Sequence, residues 1–233
     1  MTELMQARRA VWDLPVRIIH WLLVITVASS WLTQNLSGDW FAWHRRCGYA
    51  VLIMVATRWV WGLLGTRHAR FANFLQSPAA TWRYARGLLQ GRGRAFVGHN
   101  PLGAWMVMLL LALLLAQACT GLFANDDIAN TGPLIGYISE ALSRRLTAWH
   151  HWLFDAILIA VGLHVAAVLF YWFVTRQNLI LPMLIGSKPA AQVPEDATIS
   201  SSRSWLALLI AALLGAGLWY VVAHAPLDAP IGF

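Results

Sequence analysis

Long apolar stretches alternate with short polar connections along the whole chain. A helix needs about 20 mostly apolar residues to cross the hydrocarbon core of a bilayer. Five stretches approach that length, and they lie near 15–34, 45–65, 103–124, 149–174 and 204–223. The pattern predicts an all-α membrane protein in which four helices form a transmembrane bundle, followed by a fifth, C-terminal transmembrane helix.

The composition agrees with a polytopic membrane protein. Of the 233 residues, 59% are hydrophobic and 12% are charged, which is not the composition of an ordinary soluble domain. Many of the 14 tryptophans lie where an apolar stretch ends, as expected for the aromatic belts at the two membrane surfaces. The net charge of +7 comes largely from arginines in short connections, so it indicates membrane topology and no binding of nucleic acid.

The distribution of arginine predicts the orientation, because short cytoplasmic loops are rich in Lys and Arg. The connection 66–103 has six arginines and no acidic residue, so we expect it in the cytoplasm. The connections 33–43 and 125–148 carry acidic residues, and we expect both in the periplasm. The prediction is a multi-pass protein of the bacterial inner membrane with a cytoplasmic N-terminus and a periplasmic C-terminus.

Two connections have compositions of their own. Segment 78–90 interleaves Trp, Tyr and Leu with Arg, which fits a short interfacial helix and fits an ordinary polar connector equally well. Segment 187–203 is polar, and we expect a cytoplasmic linker there. It would join a transmembrane core at 10–186 to an extra transmembrane helix with a short periplasmic tail at 204–233.

Two histidines in the fourth apolar stretch have an informative spacing. His150 and His164 are fourteen residues apart, so on a helix they lie within roughly 40° of each other and roughly 21 Å apart along the axis. One helix therefore presents two imidazoles on one face, one toward each side of a bilayer core about 30 Å thick. Ionisable residues inside a membrane helix are rare and usually functional. This arrangement is the one needed to hold two haems stacked across a membrane.

Two further histidines complete two pairs. His20 lies about one turn inside the first helix, which enters from the cytoplasm, and His44 begins the second helix, which enters from the periplasm. The predicted topology puts His150 toward the periplasm and His164 toward the cytoplasm. The four therefore sort into His20 with His164 and His44 with His150, and each pair can supply two axial nitrogens to one haem iron.

Other interpretations of these histidines are weaker. His151 competes with His150, but it lies about 220° from His164 around the helix, so we favour His150 and expect His151 at the interface or beside a haem propionate. A zinc site needs ligands that converge on one tetrahedral point, which two histidines so far apart on one helix do not do. The remaining alternative is a non-redox transporter or assembly protein whose histidines hydrogen-bond within the bundle.

Two arginines are candidates for binding the haem propionates, because a guanidinium group suits a carboxylate. Arg17 lies near the cytoplasmic end of the first helix, and Arg45 follows His44 at the periplasmic end of the second. Arginines at these positions equally well mark the membrane boundaries. Gly48 and Gly121 are candidates for leaving room for a flat macrocycle against the backbone.

The remaining histidines and the cysteines are less informative. We expect His68 and His99, in the connection 66–103, to face solvent; the alternative is that they shape a quinone or propionate site. Cys47 and Cys119 lie in apolar stretches, and we expect both to be small buried hydrophobic residues. No CxxCH motif is present, which excludes covalent attachment of a c-type haem.

Several motifs make the chain similar to a known family. They are VWDLPVRIIHW (11–21), WHRRCGY (43–49), RWVWGLLGTRHARF (58–71), GHNPLGAWMV (98–107), TGLFANDD (120–127) and WHHWLFDAILIAVGLHVAAVLFY (149–171). Over about residues 10–186 the chain resembles the bacterial cytochrome b561 family, which is close to the b-type cytochrome subunits of nickel–iron hydrogenases.

The resemblance implies a four-helix core with two b-type haems, whose ligands would be His20, His44, His150 and His164. It also implies electron exchange between the membrane quinone pool and a periplasmic partner, either a c-type cytochrome or a redox enzyme subunit. We therefore expect an electron-transfer subunit embedded in membrane lipid rather than a self-sufficient enzyme. The alternative is an enzyme similar to superoxide oxidases, which would pass electrons from superoxide to quinone.

Overall fold

The computed structural model describes residues 7–34, 36, 40–92, 95–127 and 130–226. Asp39, Arg94 and the end of the predicted periplasmic tail, 227–233, lie outside these residues. The described α-helices are α1 (Leu14–Gln34), α2 (Trp40–Leu64), α3 (Phe71–Phe74), α4 (Pro78–Leu89), α5 (Pro101–Gly121), α6 (Glu140–Phe173), α7 (Ile180–Ile185) and α8 (Ser204–Ala223). Two short strands, β1 (Arg8–Ala10) and β2 (Ser187–Pro189), pair with each other.

Five of the helices, α1, α2, α5, α6 and α8, are long and apolar enough to cross a membrane by their length and composition. They overlap the five predicted apolar stretches, so the prediction of a mostly helical, multi-pass membrane protein is confirmed. Helix α2 begins at Trp40, so His44 lies one turn inside it rather than at its start. The bounds of α1 and α8 agree with the predicted ones to within one residue. That four of the helices form a bundle around two haems remains a prediction.

Helix α6 begins at Glu140, nine residues before the predicted start of the fourth apolar stretch. The prediction followed apolar residues, whereas a polar segment made of good helix formers extends a helix equally well. The carboxylate of Glu140 forms an ion pair of 2.9 Å with Arg144, one turn further on, which is the spacing that supports a helix. The expected connection 125–148 is therefore partly helical.

The described chain divides into two compact units. The first comprises the described residues of Met1–His20, Arg58–Leu110 and Ala160–Ala207, and the second those of Trp21–Thr57, Leu111–Ile159 and Leu208–Phe233. Each of the five long helices therefore contributes one part to each unit.

A two-stranded sheet lies at the N-terminal end of the first unit. Strands β1 and β2 are antiparallel, with Arg8 opposite Pro189. The guanidinium group of Arg9 donates hydrogen bonds to the carbonyl oxygen of Val193 and, at 2.8 Å, to the carboxylate of Glu195. The side chain of Val193 is buried. The polar segment that we expected as a linker is thus folded against the N-terminal strand.

Gly186 allows the chain to turn from α7 into this sheet. Its φ angle is 86°, in the left-handed region that favours glycine. Its carbonyl oxygen accepts hydrogen bonds from the backbone N–H groups of Val11 and Trp12, at 2.9 and 3.0 Å. A Cβ atom at this position would lie 2.7 Å from Nη1 of Arg17 and 3.0 Å from the carbonyl oxygen of Trp12, so a side chain would displace the guanidinium group as well as strain the backbone.

Asp13 joins the start of α1 to the end of α2 within the first unit. It is fully buried, and its Oδ1 accepts the backbone N–H of Val16 at 2.8 Å, which caps α1. Its Oδ2 accepts hydrogen bonds from the indole Nε1 of Trp61 at 3.1 Å and from the hydroxyl of Thr66. Because a buried carboxylate is costly without such donors, these contacts fix the entry of α1.

Segment 78–90 contains helix α4, so of its two interpretations the helix is confirmed. Ser77 caps it: the side-chain oxygen accepts the N–H of Ala80 at 3.3 Å, and Pro78 occupies the first turn. Both features are common at helix starts.

Candidate functional site

The structure brings four of the predicted histidines together in two pairs, one in each unit. In the first unit the ring centroids of His20 (α1) and His164 (α6) are 6.4 Å apart. In the second unit those of His44 (α2) and His150 (α6) are 6.3 Å apart. All four rings are half-buried, whereas His151 is exposed. These are the pairs that the predicted topology gives; that they bind iron stays a prediction.

Backbone carbonyl groups orient two of these rings in the second unit. Nδ1 of His44 lies 2.9 Å from the carbonyl oxygen of Ser30, and Nδ1 of His150 lies 2.9 Å from that of Gln117. The hydroxyl oxygens of Ser30 and Thr120 lie 3.2 Å from the same two nitrogens. Because a carbonyl oxygen only accepts, each Nδ1 carries the hydrogen, and each Nε2 keeps the lone pair that can bind a metal.

The side chain of Gln117 also contacts His150. Its Nε2 lies 3.2 Å from Nε2 of His150, so the amide can donate to the lone pair of the ring. Its Oε1 is buried and has no hydrogen-bond partner among the residues that the structure describes. A metal ion at His150 Nε2 would replace the amide contact. Sequence reasoning missed Gln117, Ser30 and Thr120, since no motif marks them.

The spacing of the paired rings fits two imidazoles that would hold one iron between them. An imidazole nitrogen binds a first-row metal at about 2 Å, and the ring centre lies roughly 1.1 Å behind it, so two opposed rings have centres about 6.3 Å apart. The centroid distances of 6.4 and 6.3 Å agree with this value. The planes of opposed rings can take any mutual angle about the metal–nitrogen axis, which accommodates the observed 57° and 81°.

Two glycines lie near the histidine pair of the second unit, His44 and His150. A Cβ atom at Gly121, the last residue of α5, would lie 2.9 Å from Cε1 of His150. A Cβ atom at Gly48, one turn after His44 in α2, would have no described atom within 4 Å. Gly121 therefore admits the ring of His150, and Gly48 leaves the backbone of α2 open beside His44. Both observations suit the binding of a flat macrocycle.

The two predicted propionate ligands differ in their surroundings. The guanidinium group of Arg17 is half-buried and donates to the carbonyl oxygen of Leu184 in α7. That of Arg45 is exposed and lies 5.9 Å from the ring centre of Phe41. Neither contact tests a role toward propionates, which stays a prediction for both arginines.

The expectation that His68 and His99 face solvent is wrong, because both side chains are half-buried in the first unit. His99 packs between aromatic rings, with centroids 4.6 Å from Trp12 and 4.5 Å from Phe74. Nε2 of His68 lies 2.7 Å from the carbonyl oxygen of Ala197 and donates to it. The sequence did not show that segment 187–203 folds over this connection and covers the two histidines.

The environment of these two imidazoles favours their neutral forms. Burial, followed by the charge of Arg58, lowers the pKa of His99 to about 3. Burial also lowers the pKa of His68, although the hydrogen bond to Ala197 opposes the shift. The pKa of Lys188 is lowered by burial as well, and its Nζ donates to the carbonyl oxygen of Phe96 at 2.9 Å.

A cavity of about 330 Å³ opens beside these histidines. Both polar and apolar side chains line it, among them His68, His99, Phe74, Phe96, Arg67 and Asp196. Arg67 and Asp196 form an ion pair of 3.6 Å at its edge. The cavity can therefore offer both ring contacts and hydrogen-bond donors to a small aromatic molecule.

Two other predicted positions differ from expectation. Cys119 is exposed on the surface of α5 rather than buried. Apolar residues of a membrane-spanning helix can face lipid, so the apolar surroundings of Cys119 in the sequence did not require its burial in the protein. Cys47 is half-buried. Within the described ranges, no three His, Cys, Asp or Glu side chains come close enough to form a metal site.

Paired histidines on apolar helices of membrane-spanning length are typical of the membrane cytochromes, a class of protein in which imidazoles bind haem iron. The family model for prokaryotic cytochrome b561 matches residues 11–186. The chain belongs to this family and is therefore a b-type cytochrome that transfers electrons in the membrane, with haem b as the cofactor that the family implies.

Individual relatives are distant. The chain is 24% identical over 211 residues to a probable Ni/Fe-hydrogenase B-type cytochrome subunit of Rhizobium leguminosarum bv. viciae, covering 76% of this chain and 87% of the relative. It is 26% identical over 179 residues to a probable superoxide oxidase of Yersinia pestis, covering 71% of this chain and 91% of the relative. No solved structure gives a significant match.

Proposed function

We propose that the protein binds two haem b groups, one between His20 and His164 and one between His44 and His150. The observation that carries this proposal is the separation of the ring centroids, 6.4 and 6.3 Å, in two pairs that lie in different units. When bound, haem b supplies reversible one-electron oxidation and reduction at its iron.

The residues around the second pair prepare the imidazoles for this role. The carbonyl oxygens of Ser30 and Gln117 hold the Nδ1–H groups, which fixes the ring orientation and makes each Nε2 a stronger donor to a metal. In this proposal Arg45, exposed beside His44, binds a propionate of one haem, and Arg17 binds a propionate of the other. Half-burial of the rings would restrict water near a bound haem, and this would influence its reduction potential.

The proposed pathway runs between the quinone pool and a periplasmic redox partner. The relatives named as hydrogenase cytochrome subunits support a redox enzyme subunit as that partner, and a c-type cytochrome is the alternative. The arginine-rich connection 66–103 supports a cytoplasmic side for the first unit, with the N-terminus there and the C-terminus in the periplasm of an inner-membrane protein. Residues 10–186 form the electron-transfer core, and α8 is an added anchor or partner-contact helix.

The cavity beside His68 and His99 is our candidate for the quinone headgroup. Phe74 and Phe96 supply ring contacts there. The neutral imidazole of His99 can donate a hydrogen bond to a quinone oxygen, whereas the N–H of His68 is used by Ala197 and its other ring nitrogen can only accept one. Replacement of His68 and His99 should then raise the KM for quinone while leaving the haem content unchanged.

Quantitation of haem as the pyridine haemochrome tests the proposal directly. We expect two b-type haems per chain in the purified protein, and loss of about one of them in each of His150→Ala and His164→Ala. The matched control is His151→Ala, next to His150 but exposed, which should keep both. Haem loss in the control equal to that in His150→Ala would contradict the ligand assignment, and absence of haem from the wild-type protein would contradict the proposed function.

A second candidate function is oxidation of superoxide with quinone as the electron acceptor. It is favoured by the Yersinia pestis relative and by exposed arginines in the second unit, where a positive surface would attract an anion. These arginines are Arg45, Arg46, Arg144 and Arg145, and Glu140 offsets one of them by its ion pair with Arg144. Reduction of the haem by superoxide alone, followed by reduction of added quinone, would favour this candidate over a partner-dependent subunit.

A further inference from the structure

Helix α4 (Pro78–Leu89) presents an exposed face with an apolar edge and a basic edge. Trp82 and Leu89 are 60% and 86% exposed, and their spacing of seven residues puts them within about 20° of each other on the helix. Arg83 and Arg86 are also exposed and follow on the same side, within roughly 100° of Trp82. The guanidinium group of Arg86 lies over the ring of Trp82, 5.1 Å from its centre.

The opposite face of α4 is fixed at the end of a membrane helix. The hydroxyl of Tyr84 forms a hydrogen bond of 2.8 Å with the hydroxyl of Tyr171, and Tyr171 is buried two residues before the end of α6. The exposed rings of Trp172 and Phe173 follow it, stacked with centroids 5.7 Å apart. Aromatic residues at the end of an apolar span mark the level of the membrane interface, so α4 lies at that level.

The basic edge of α4 is not neutralised within the protein. In the part of the chain that the structure describes, the three ion pairs use Arg9, Arg67 and Arg144. The whole connection 66–103 has no acidic residue. The positive charge of Arg83 and Arg86 is therefore available to an anionic surface outside the chain.

From these observations we infer that α4 docks on the surface of the bilayer and binds the headgroups of anionic phospholipids. Trp82 and Leu89 enter the interface, and Arg83 and Arg86 contact the phosphate groups. An amphipathic helix with aromatic and basic residues binds anionic membranes in this way. Charge complementarity selects lipid phosphate over a neutral headgroup, since each arginine near an anionic leaflet adds to the attraction.

Hydrogen exchange in nanodiscs tests this inference. The full-length protein, one copy per disc so that a second copy cannot cover α4, is placed in phosphatidylcholine alone or with phosphatidylglycerol added. We expect backbone amides of 78–90 to exchange up to about 30-fold more slowly with phosphatidylglycerol present, about 2 kcal/mol at about 1.4 kcal/mol per tenfold, as expected for two arginines. High salt should reduce this protection, because it screens exposed charges.

Variants show whether the exposed face is responsible. Arg83→Gln/Arg86→Gln should remove the effect of phosphatidylglycerol and leave exchange in phosphatidylcholine unchanged. Arg144→Gln/Arg145→Gln removes the same charge from α6 and should leave the effect intact. Trp82→Gln should weaken protection in both lipids, because it removes the apolar anchor.

Three results would overturn the inference. The first is equal exchange of 78–90 in the two lipids. The second is an equal loss of the lipid effect in the control Arg144→Gln/Arg145→Gln, which would indicate a general response to net charge. The third is equal protection of the detergent-solubilised protein by free glycerol phosphate, which would show a site for a soluble phosphate and not for a membrane surface.

Discussion

Gly121 lies directly against the ring of His150: a Cβ atom on this glycine would be 2.9 Å from Cε1 of the imidazole. A real Cβ atom does not approach a ring atom so closely, so a side chain at position 121 must displace the ring or the end of α5. The position of the His150 ring, a proposed iron ligand, therefore depends on the absence of a side chain at Gly121.

Replacement of Gly121 by alanine should disturb the second histidine pair. In Gly121→Ala we expect the haem content to fall from two to about one per chain, or the low-spin signal of one haem to be altered, because His150 is pushed from its position. Quantitative haemochrome analysis and electron paramagnetic resonance measure this. Gly217→Ala in α8 is the control, since no described atom lies within 4 Å of its Cβ position. Unchanged spectra in Gly121→Ala would show that the ring tolerates the added methyl group.

The hydrogen bond from Arg9 to the carbonyl oxygen of Val193 should contribute more to stability than the ion pair of Arg9 with Glu195. We expect Arg9→Ala to lower the free energy of unfolding by about 1–3 kcal/mol, because the carbonyl of Val193 loses a charged donor. Glu195→Gln should cost only about 0–1 kcal/mol, since the carboxylate is 88% exposed and surface ion pairs contribute little. Thermal unfolding of the two variants in detergent compares them. Equal losses would indicate that the ion pair dominates.

The hydrogen bond between Tyr84 and Tyr171 should stabilise the attachment of α4. In Tyr84→Phe the buried hydroxyl of Tyr171 loses its partner, and we expect a destabilisation of about 1–2 kcal/mol. Proteolysis of the connection 66–103 should become faster in parallel. Tyr137→Phe is the control, because the Tyr137 hydroxyl is exposed and its hydrogen bond is 3.4 Å long. A variant indistinguishable from this control would show that α4 is held by its other contacts.

Acidification should destabilise the first unit through His99. The pKa of His99 is about 3 in the folded protein, against about 6.5 in an unfolded chain, so below pH 6.5 the unfolded state binds the extra proton. Stability is therefore complete above about pH 6.5 and is lost as the pH falls toward 3, by at most about 1.4 kcal/mol per pH unit. His68, whose pKa is also lowered, contributes in the same direction.

Melting temperatures between pH 7.5 and 5.0 check this dependence. His99→Phe keeps an aromatic ring between Trp12 and Phe74 but removes the titrating group, so its melting temperature should fall less on acidification. The exposed His151→Phe serves as the control and should follow the wild type. Parallel curves for His99→Phe and the wild type would assign the acid sensitivity to other groups.

The helices and the histidine pairs could be predicted because both follow from local periodicity and charge. The length of the apolar stretches predicts the membrane-spanning helices, and the distribution of arginine predicts the direction in which each helix crosses the membrane. The spacing of His150 and His164 predicts that both lie on one face of their helix. Together these predict which histidines lie near one another, as the structure shows. The ligation of iron by these pairs is a further step, which only a measurement of bound haem decides.

The contacts that orient the histidines could not be predicted, because they depend on tertiary packing. Ser30 and Gln117 act through backbone carbonyl oxygens, which every residue has, so no pattern of side chains marks them. The positions of His68 and His99 depended on segment 187–203, whose polar composition resembles a linker. Only a few apolar side chains, such as Val193, pack in that segment, and so few apolar residues do not distinguish a folded segment from a linker in a hydropathy pattern.

The pairing of β1 with β2 has a consequence for the order of events during synthesis. Pro189, the partner of Arg8 in the sheet, leaves the ribosome 181 positions after it. Four of the five long helices are made in this interval, so β1 has no partner until they have been produced. The small sheet can therefore form only after the long helices α1, α2, α5 and α6 have been synthesised. A chain interrupted before residue 187 would leave β1 unpaired, and its open strand edge would be exposed to the cell's quality-control proteases.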